Sequence, residues 1–221
     1  MRSFDYIESG KTLLTPHTTS LLAAIHEAKG RQSIQTTIRP DILGTLVAVA
    51  RIQSTDASNR IEGISTSDSR LNDLVSEKVT PRNRNEEEIA GYRDALSVIH
   101  ESHDYIPITP NVILQLHRDL FRHTPLTFAG HFKDSDNVII ERDAHGTSTV
   151  RFAPPSALVT PELIERACSA YTQAIRDGHT DPLLAIAMFI LDFTCIHPFN
   201  DGNGRMSRLL TLLMLCRNGY M

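Results

Sequence analysis

The 221 residues are 41% hydrophobic and 22% charged, an ordinary globular composition with ample material for a buried core. A net charge of −4 argues against a nucleic-acid surface, which needs a basic excess. Cys168, Cys195 and Cys216 each sit in an apolar run without metal-ligand spacing, and are expected to be free thiols in a reducing compartment. The N-terminus, MRSFDYIESG, has no apolar signal core. The longest apolar run, LLAIAMFIL (Leu183–Leu191), is too short to cross a bilayer. The expectation is a cytoplasmic protein with no membrane partner.

Helical punctuation recurs along the chain. Pro40-Asp41 open DILGTLVAVARIQSTDASNRIEG, in which Ile42, Leu46 and Val49 share a helical face and Gly63 is a stop signal. From Glu86 to His103, Ile89, Tyr92, Leu96 and Ile99 recur at helical spacing, with acids crowding the first turn where the helix dipole favours them. Thr109-Pro110 is a cap followed by proline at the first helical position, ahead of an Ile113, Leu116, Leu120 stripe.

The texture then changes. NVIIERDAHGTSTVRF (Asn137–Phe152) places two β-prone runs around a turn containing Gly146, which predicts a hairpin. Thr160-Pro161 and Asp181-Pro182 each announce another helix. The second is apolar almost all round, so it should be buried on most sides, and Pro198 should stop it. A last helix runs from near Asn203 to about Asn218, with Gly219 as its C-terminal signal. The predicted architecture is mainly α with one hairpin. The sequence stops soon afterwards, at RNGYM, which suggests a C-terminal truncation.

Between the last two helices lies HPFNDGNGRMSR (His197–Arg208), polar and glycine-rich between two stretches of core. Gly202 and Gly204 can take positive φ and admit a ligand to the backbone. Successive amides in such a turn, continued by the free N–H groups of the next helix, make an anion site. Arg205 and Arg208, three apart, should share a helical face, and two guanidinium groups suit phosphate oxygens. An acid beside bound phosphates makes sense if Asp201 holds Mg²⁺, which takes one or two carboxylates along with phosphate oxygens. His197 is a candidate proton acceptor. The pattern reads as a polyphosphate site with a metal ligand and a base.

The same segment resembles the Fic-family signature HPFx[D/E]GNGRxxR at every fixed position. LHRDLF (Leu116–Phe121), AGHFKDSDNVII (Ala129–Ile140) and VRFAPP (Val150–Pro155) look like that family's helix, flap approach and post-flap turn, in order. Lys133, where relatives often carry Arg, is a departure expected to lie away from the chemistry. The resemblance implies a Fic-type helical bundle with a β-hairpin flap, and transfer of AMP from ATP to a Ser, Thr or Tyr hydroxyl of a target protein or of the chain itself. It implies His197 as base and Asp201 as Mg²⁺ ligand. The Gly202 and Gly204 amides with Asn203 would cradle phosphates, Arg205 would meet the β-phosphate and Arg208 the γ-phosphate. Phe199 would anchor the loop. Val138, Ile139 and Ile140 on the flap would clamp the target by strand pairing.

Upstream, SNRIEG (Ser58–Gly63) resembles the [S/T]xxxE[G/N] inhibitory motif of many Fic proteins. Glu62 would then pair with Arg208 through two parallel hydrogen bonds and deny those donors to the γ-phosphate. The sequence thus divides into a helical region, 1–105, carrying the inhibitory residues Ser58, Glu62 and Gly63, and a catalytic core, 106–221, with its flap at about 137–152. The alternatives left open are removal of AMP with Glu62 orienting water, transfer of another nucleotide, and a non-catalytic nucleotide-sensing module; homo-oligomerisation is also open. HRDL (His117–Leu120) lacks the downstream Asn and glycine-rich loop of a kinase, and DSDN (Asp134–Asn137) is too short for a calcium loop.

Overall fold

The computed structural model describes residues 4–38, 40–143, 146–176 and 178–220. Nine α-helices are found among them: α1 (Tyr6–Leu13), α2 (Pro16–Ile38), α3 (Pro40–Ile61), α4 (Asp68–Val75), α5 (Arg84–Ser102), α6 (Pro110–Leu120), α7 (Thr160–Arg176), α8 (Pro182–Ile196) and α9 (Asn203–Arg217). One antiparallel hairpin, β1 (Ile139–Arg142) and β2 (Ser148–Phe152), stands between α6 and α7. The mainly helical expectation with a single hairpin holds.

The caps do what their residue types dictate. Thr109 accepts from the Val112 amide at the head of α6, Asp181 from Leu183 at the head of α8, and Asn83 from Glu86 at the head of α5. Ile89, Tyr92, Leu96 and Ile99 of α5 and Ile113, Leu116 and Leu120 of α6 are buried as their spacing predicts. Gly91 lets the two helices meet: a Cβ there would strike the Leu120 carbonyl. α8 is wrapped by α7, α9 and α1, and buries Ile186, Phe189 and Phe193, while Leu191 stays half exposed. The large core runs through α5 to α9 and takes in Tyr6, whose hydroxyl donates to Asp192 at 2.9 Å. A second, small cluster joins Leu71, Leu74 and Val75 of α4 to Ile89 of α5, with Ile52, Ile64 and Val79 packed on it.

Three expectations need correction. The predicted apolar face of α3 is not a core face: Leu46 and Val49 are exposed, and what α3 buries is Thr55, Ser58 and Asn59. The helix docks by its C-terminal half, beyond Leu46 and Val49, where Ile52 packs on the small cluster and the fully buried side chains are polar; the side chain of Ile42 lies outside the described residues. The acids of α5 are more than dipole partners. Glu86 and Glu88 are each only 3% exposed and engaged in ion pairs. Helices α1, α2 and α4 were not foreseen; α2 buries only Leu22 among its described side chains and so carries no apolar stripe to read. The three cysteines are free, Cys168 and Cys216 buried, as expected. No helix among the described residues is long and apolar enough to cross a membrane.

Candidate active site

Helix α8 delivers His197 at its C-terminal end. Pro198 forbids another helical turn, and His197 takes the left-handed conformation, φ 51° and ψ 61°, closing the helix with its own amide on Phe193 O at 3.0 Å. Partial burial pushes the ring's pKa down and Lys133 adds to this, while the Thr194 backbone carbonyl and Glu62 oppose it. The lowering favours the neutral imidazole.

The loop behind it is fixed by aromatic packing. Phe199 is fully buried and stacked on the His117 ring, centroids 3.7 Å apart. His117 accepts from the Gly130 amide on Nδ1 at 2.9 Å, so its Nε2–H donates to the Asp201 carbonyl at 3.0 Å. Burial pushes its pKa down to about 4, so it stays neutral while it ties α6 to the loop. Phe199 packs the turn into the core, and His117 is a tie that the sequence did not single out.

The glycines divide their labour differently from expectation. Gly202 does take positive φ, 82°, with Phe121 packed where a side chain would go. Gly204 is helical, and its need is space: a Cβ there would collide with the Glu62 carboxylate. Asn203 is not free to cradle an anion with its side chain. Its Oδ1 accepts from Phe199 N at 2.9 Å and its Nδ2 donates to Phe199 O at 2.7 Å, so it closes the turn on itself.

The two arginines part company, which corrects the reading that they share one open face. Arg205 is 1% exposed, its Nη1 on Glu88 Oε2 at 2.6 Å and its guanidinium over the Phe121 ring. Glu88 also receives Arg84 Nε at 2.8 Å, and Arg84 Nη2 stands 4.0 Å from Asp201 Oδ2. Arg208 points the other way, toward α3. Its Nε donates to Ser58 Oγ at 2.6 Å and its Nη2 to Ser58 O at 2.9 Å and Glu62 Oε1 at 2.7 Å. The pairing with Glu62 is thus a single hydrogen bond, with Ser58 taking the other donor, rather than the two-pronged clamp expected. Gly63, φ 76°, supplies the left-handed residue that ends α3, and its neighbours complete the turn with Ile64 N on Asn59 O.

Asp201 lies on the open side of the loop, its side chain 47% exposed and its Oδ1 accepting from Gly202 N at 2.6 Å. Among the described residues there is no group of three or more His, Cys, Asp or Glu poised to hold a metal. Arg84 Nη2 at 4.0 Å and Arg205 Nη2 at 3.8 Å stand beside the Asp201 carboxylate; an open carboxylate fits a magnesium ion brought with phosphates, since that ion keeps most of its ligands from water and substrate. On the flap, Val138 and Ile140 are exposed, Ile139 lies half-buried on the other face, and Val150 stands opposite Ile140.

Lys133 corrects the expectation that it sits away from the chemistry: it is buried, with its amide on Pro198 O and its Nζ on Ile196 O, flanking His197 on both sides. Sequence reasoning also passed over Glu88. Its signal was present, an acid one helical turn from Arg84, but three acids in a row offered no way to tell which one turned inward.

The Fic/DOC family pattern matches residues 107–215. A Fido domain-containing protein of Dictyostelium discoideum is 37% identical over 90 residues, 39% of this chain and 58% of that one. The protein adenylyltransferase fic-1 of Caenorhabditis elegans is 28% identical over 145 residues, 62% of this chain and 25% of its own length. The chain therefore spans between a quarter and three-fifths of these two relatives. In fold it is similar to a Fic domain containing signaling protein from Bacteroides thetaiotaomicron, at a TM-score of 0.75 and 24% identity, over 90% of this chain and 73% of the other.

Proposed function

This chain belongs to the Fic/DOC family through residues 107–215, and on that footing we propose that it is a protein adenylyltransferase held in check by its own Glu62. The observation that carries the reading is the meeting of three elements at the head of α9. The Glu62 carboxylate, an anion, rests against Gly204 and holds Arg208, while His197 stands close enough for Glu62 to perturb its ring. A carboxylate lodged there fits a place made for an anion, because a helix N-terminus offers free amides and a positive end.

In the proposed reaction a Ser, Thr or Tyr hydroxyl of a target protein, or of the chain itself, attacks the α-phosphorus of ATP. The oxygen–phosphorus bond forms, the bond to the pyrophosphate oxygen breaks, and the hydroxyl proton passes to the neutral ring of His197. The α9 amides would receive the phosphates, and Arg208, once released by Glu62, would take the outermost. Arg205, buried against Glu88, is assigned to neutralising the floor of the site and shaping the helix start. Asp201 would hold Mg²⁺, which supplies charge neutralisation to the leaving pyrophosphate. The exposed edge of the flap, with Val138 and Ile140, would receive an extended target segment. Relatives that carry the name protein adenylyltransferase support the donor and the acceptor class.

The test uses ATP labelled at the α-phosphate, with Mg²⁺ and the wild type, Glu62→Gly and His197→Ala proteins. The expected result is at least tenfold more label on protein with Glu62→Gly than with wild type. In the Glu62→Gly background, adding His197→Ala should remove that label, a loss on the order of 10²-fold or more for a general base. Glu62→Gly that is folded, binds ATP and transfers no label overturns the reading.

A further inference from the structure

The segment KDSDN (Lys133–Asn137), whose last four residues are too short for a calcium loop, has a role of its own in the structure. Two of its residues meet four consecutive carbonyls around the candidate base. Lys133 Nζ donates to Ile196 O at 3.1 Å. Asn137 Nδ2 donates to His197 O at 3.4 Å and to Phe199 O at 3.3 Å. The Lys133 amide donates to Pro198 O at 2.8 Å. Lys133 Nζ also donates to Asn137 Oδ1 at 3.0 Å, locking the pair together.

Several physical points make this more than ordinary loop packing. A helix end leaves its last carbonyls without partners, and at α8 the chain turns there through a left-handed residue that carries a Cβ. Such a turn persists only when its surroundings fix it. Lys133 is 3% exposed, and a buried ammonium is costly unless it is hydrogen-bonded. Here the ammonium is directed at the carbonyl immediately before His197, where a neutral aliphatic side chain could donate nothing. Asp136 and Asp134 steady the rest of the segment, receiving Ala157 N at 2.8 Å and Asn200 Nδ2 at 3.2 Å.

We infer that Lys133 and Asn137 form a bracket of positioning residues that holds the backbone of residues 196–199, and with it the imidazole of His197, in the orientation the transfer step needs. The inference rests on the proposed role of His197 as base. Neither residue is assigned a contact with ATP or with the hydroxyl. Lys133 also lowers the ring's pKa, acting with burial and against the Thr194 carbonyl and Glu62. Asn137 lies two residues before β1, so the bracket joins the base to the root of the flap.

The test is made in the Glu62→Gly background, with labelling rate and ATP dependence measured separately. Lys133→Met should lower the rate at saturating ATP at least tenfold while the KM for ATP moves less than about twofold. Its acidic limb of rate against pH should shift upward, because a positive charge beside the ring has gone. Lys133→Arg, which keeps charge and donors, should recover most of the rate. Asn137→Asp keeps the acceptor for Lys133 and loses the donor to His197 and Phe199. It should show the same split between rate and KM, and it serves if Lys133→Met does not fold. Variants as fast as their parent, or a rate that falls only in proportion to ATP binding, overturn the bracket. Should Glu62→Gly itself transfer nothing, the adenylyl reading fails alone. The bracket is then judged by NMR titration of the His197 ring, where an unchanged shift and pKa in Lys133→Met and Asn137→Asp overturn it.

Discussion

At the scale of single residues, the protonation state of His197 decides whether the site can act. Its pKa is lowered, mainly by burial and further by Lys133. Only the unprotonated ring can accept a proton, so a lowered pKa keeps the base competent to more acidic pH, and activity is lost as pH falls through the lowered value. Glu62 opposes that shift, so removing it lowers the ring further. The rate of Glu62→Gly against pH should therefore keep its acidic limb below the ordinary imidazole range, measured as label transfer between about pH 5 and 8. A limb at or above that range would mean that the ring is not held as described. Residue identities at this site were legible because a base, an acid, glycines and arginines at fixed spacing imply chemistry by their type. What each side chain does was less legible. Arg205 and Arg208 share a motif but part toward Glu88 and Ser58, because their partners lie on α5 and α3, more than a hundred residues away. No local pattern could report that. Asn203 and His117 were obscured for a different reason, since each acts through hydrogen bonds to backbone atoms, whose identity the sequence does not reveal.

Secondary elements were readable where they bury a stripe or carry a cap. α5, α6, α8 and α9 announce themselves by spacing, Pro and capping residues, and all four pack on the large core. α2 does not, because it docks through polar contacts such as His26 to Asp181 at 2.7 Å; α3 was announced by Pro40 and Gly63, but the face it buries carries Ser58 and Asn59, which no apolar stripe could report. The hairpin was visible from its two β-prone runs around Gly146, though its pairing is shorter than the sequence pattern, starting at Ile139. Its exposed face offers Val138, Ile140 and Val150 to solvent. Residues on a flap face have little to stabilise in the fold, so a charge placed there tests binding alone. Ile140→Asp in the Glu62→Gly background should cut label on a protein acceptor severalfold while ATP affinity, followed by calorimetry, stays within experimental error. Equal labelling would remove the flap from target recognition.

At the scale of the whole molecule, the brake and the site rest on different cores. The loop carrying His197 and Phe199 is set into the large cluster, whereas Glu62 leads by two residues into Ile64, which packs on the small cluster of Leu71, Leu74, Val75 and Ile89. A small cluster buries little area and opens at a lower free energy than the main core. Its polar staple is Glu86, which takes two hydrogen bonds from Arg70 and one from Arg82 N, and whose pKa is held down to about 2, chiefly by Arg70. The stability from that pair is complete above the ordinary carboxylate range and is lost only as pH falls toward about 2, so mild acid should not release the brake through Glu86. Mild denaturant should. As urea rises from zero, wild-type labelling is expected to climb toward the Glu62→Gly rate and then collapse as the main core melts, while Glu62→Gly only declines. Leu74→Ala removes a fully buried side chain from the small cluster at a cost of about 2–5 kcal/mol and should bring the climb to lower urea. Labelling and near-UV circular dichroism recorded on the same samples distinguish this from global unfolding. A wild-type rate that falls in parallel with Glu62→Gly at every urea concentration would show that α3 and the loop open together, and that the two cores are one cooperative unit.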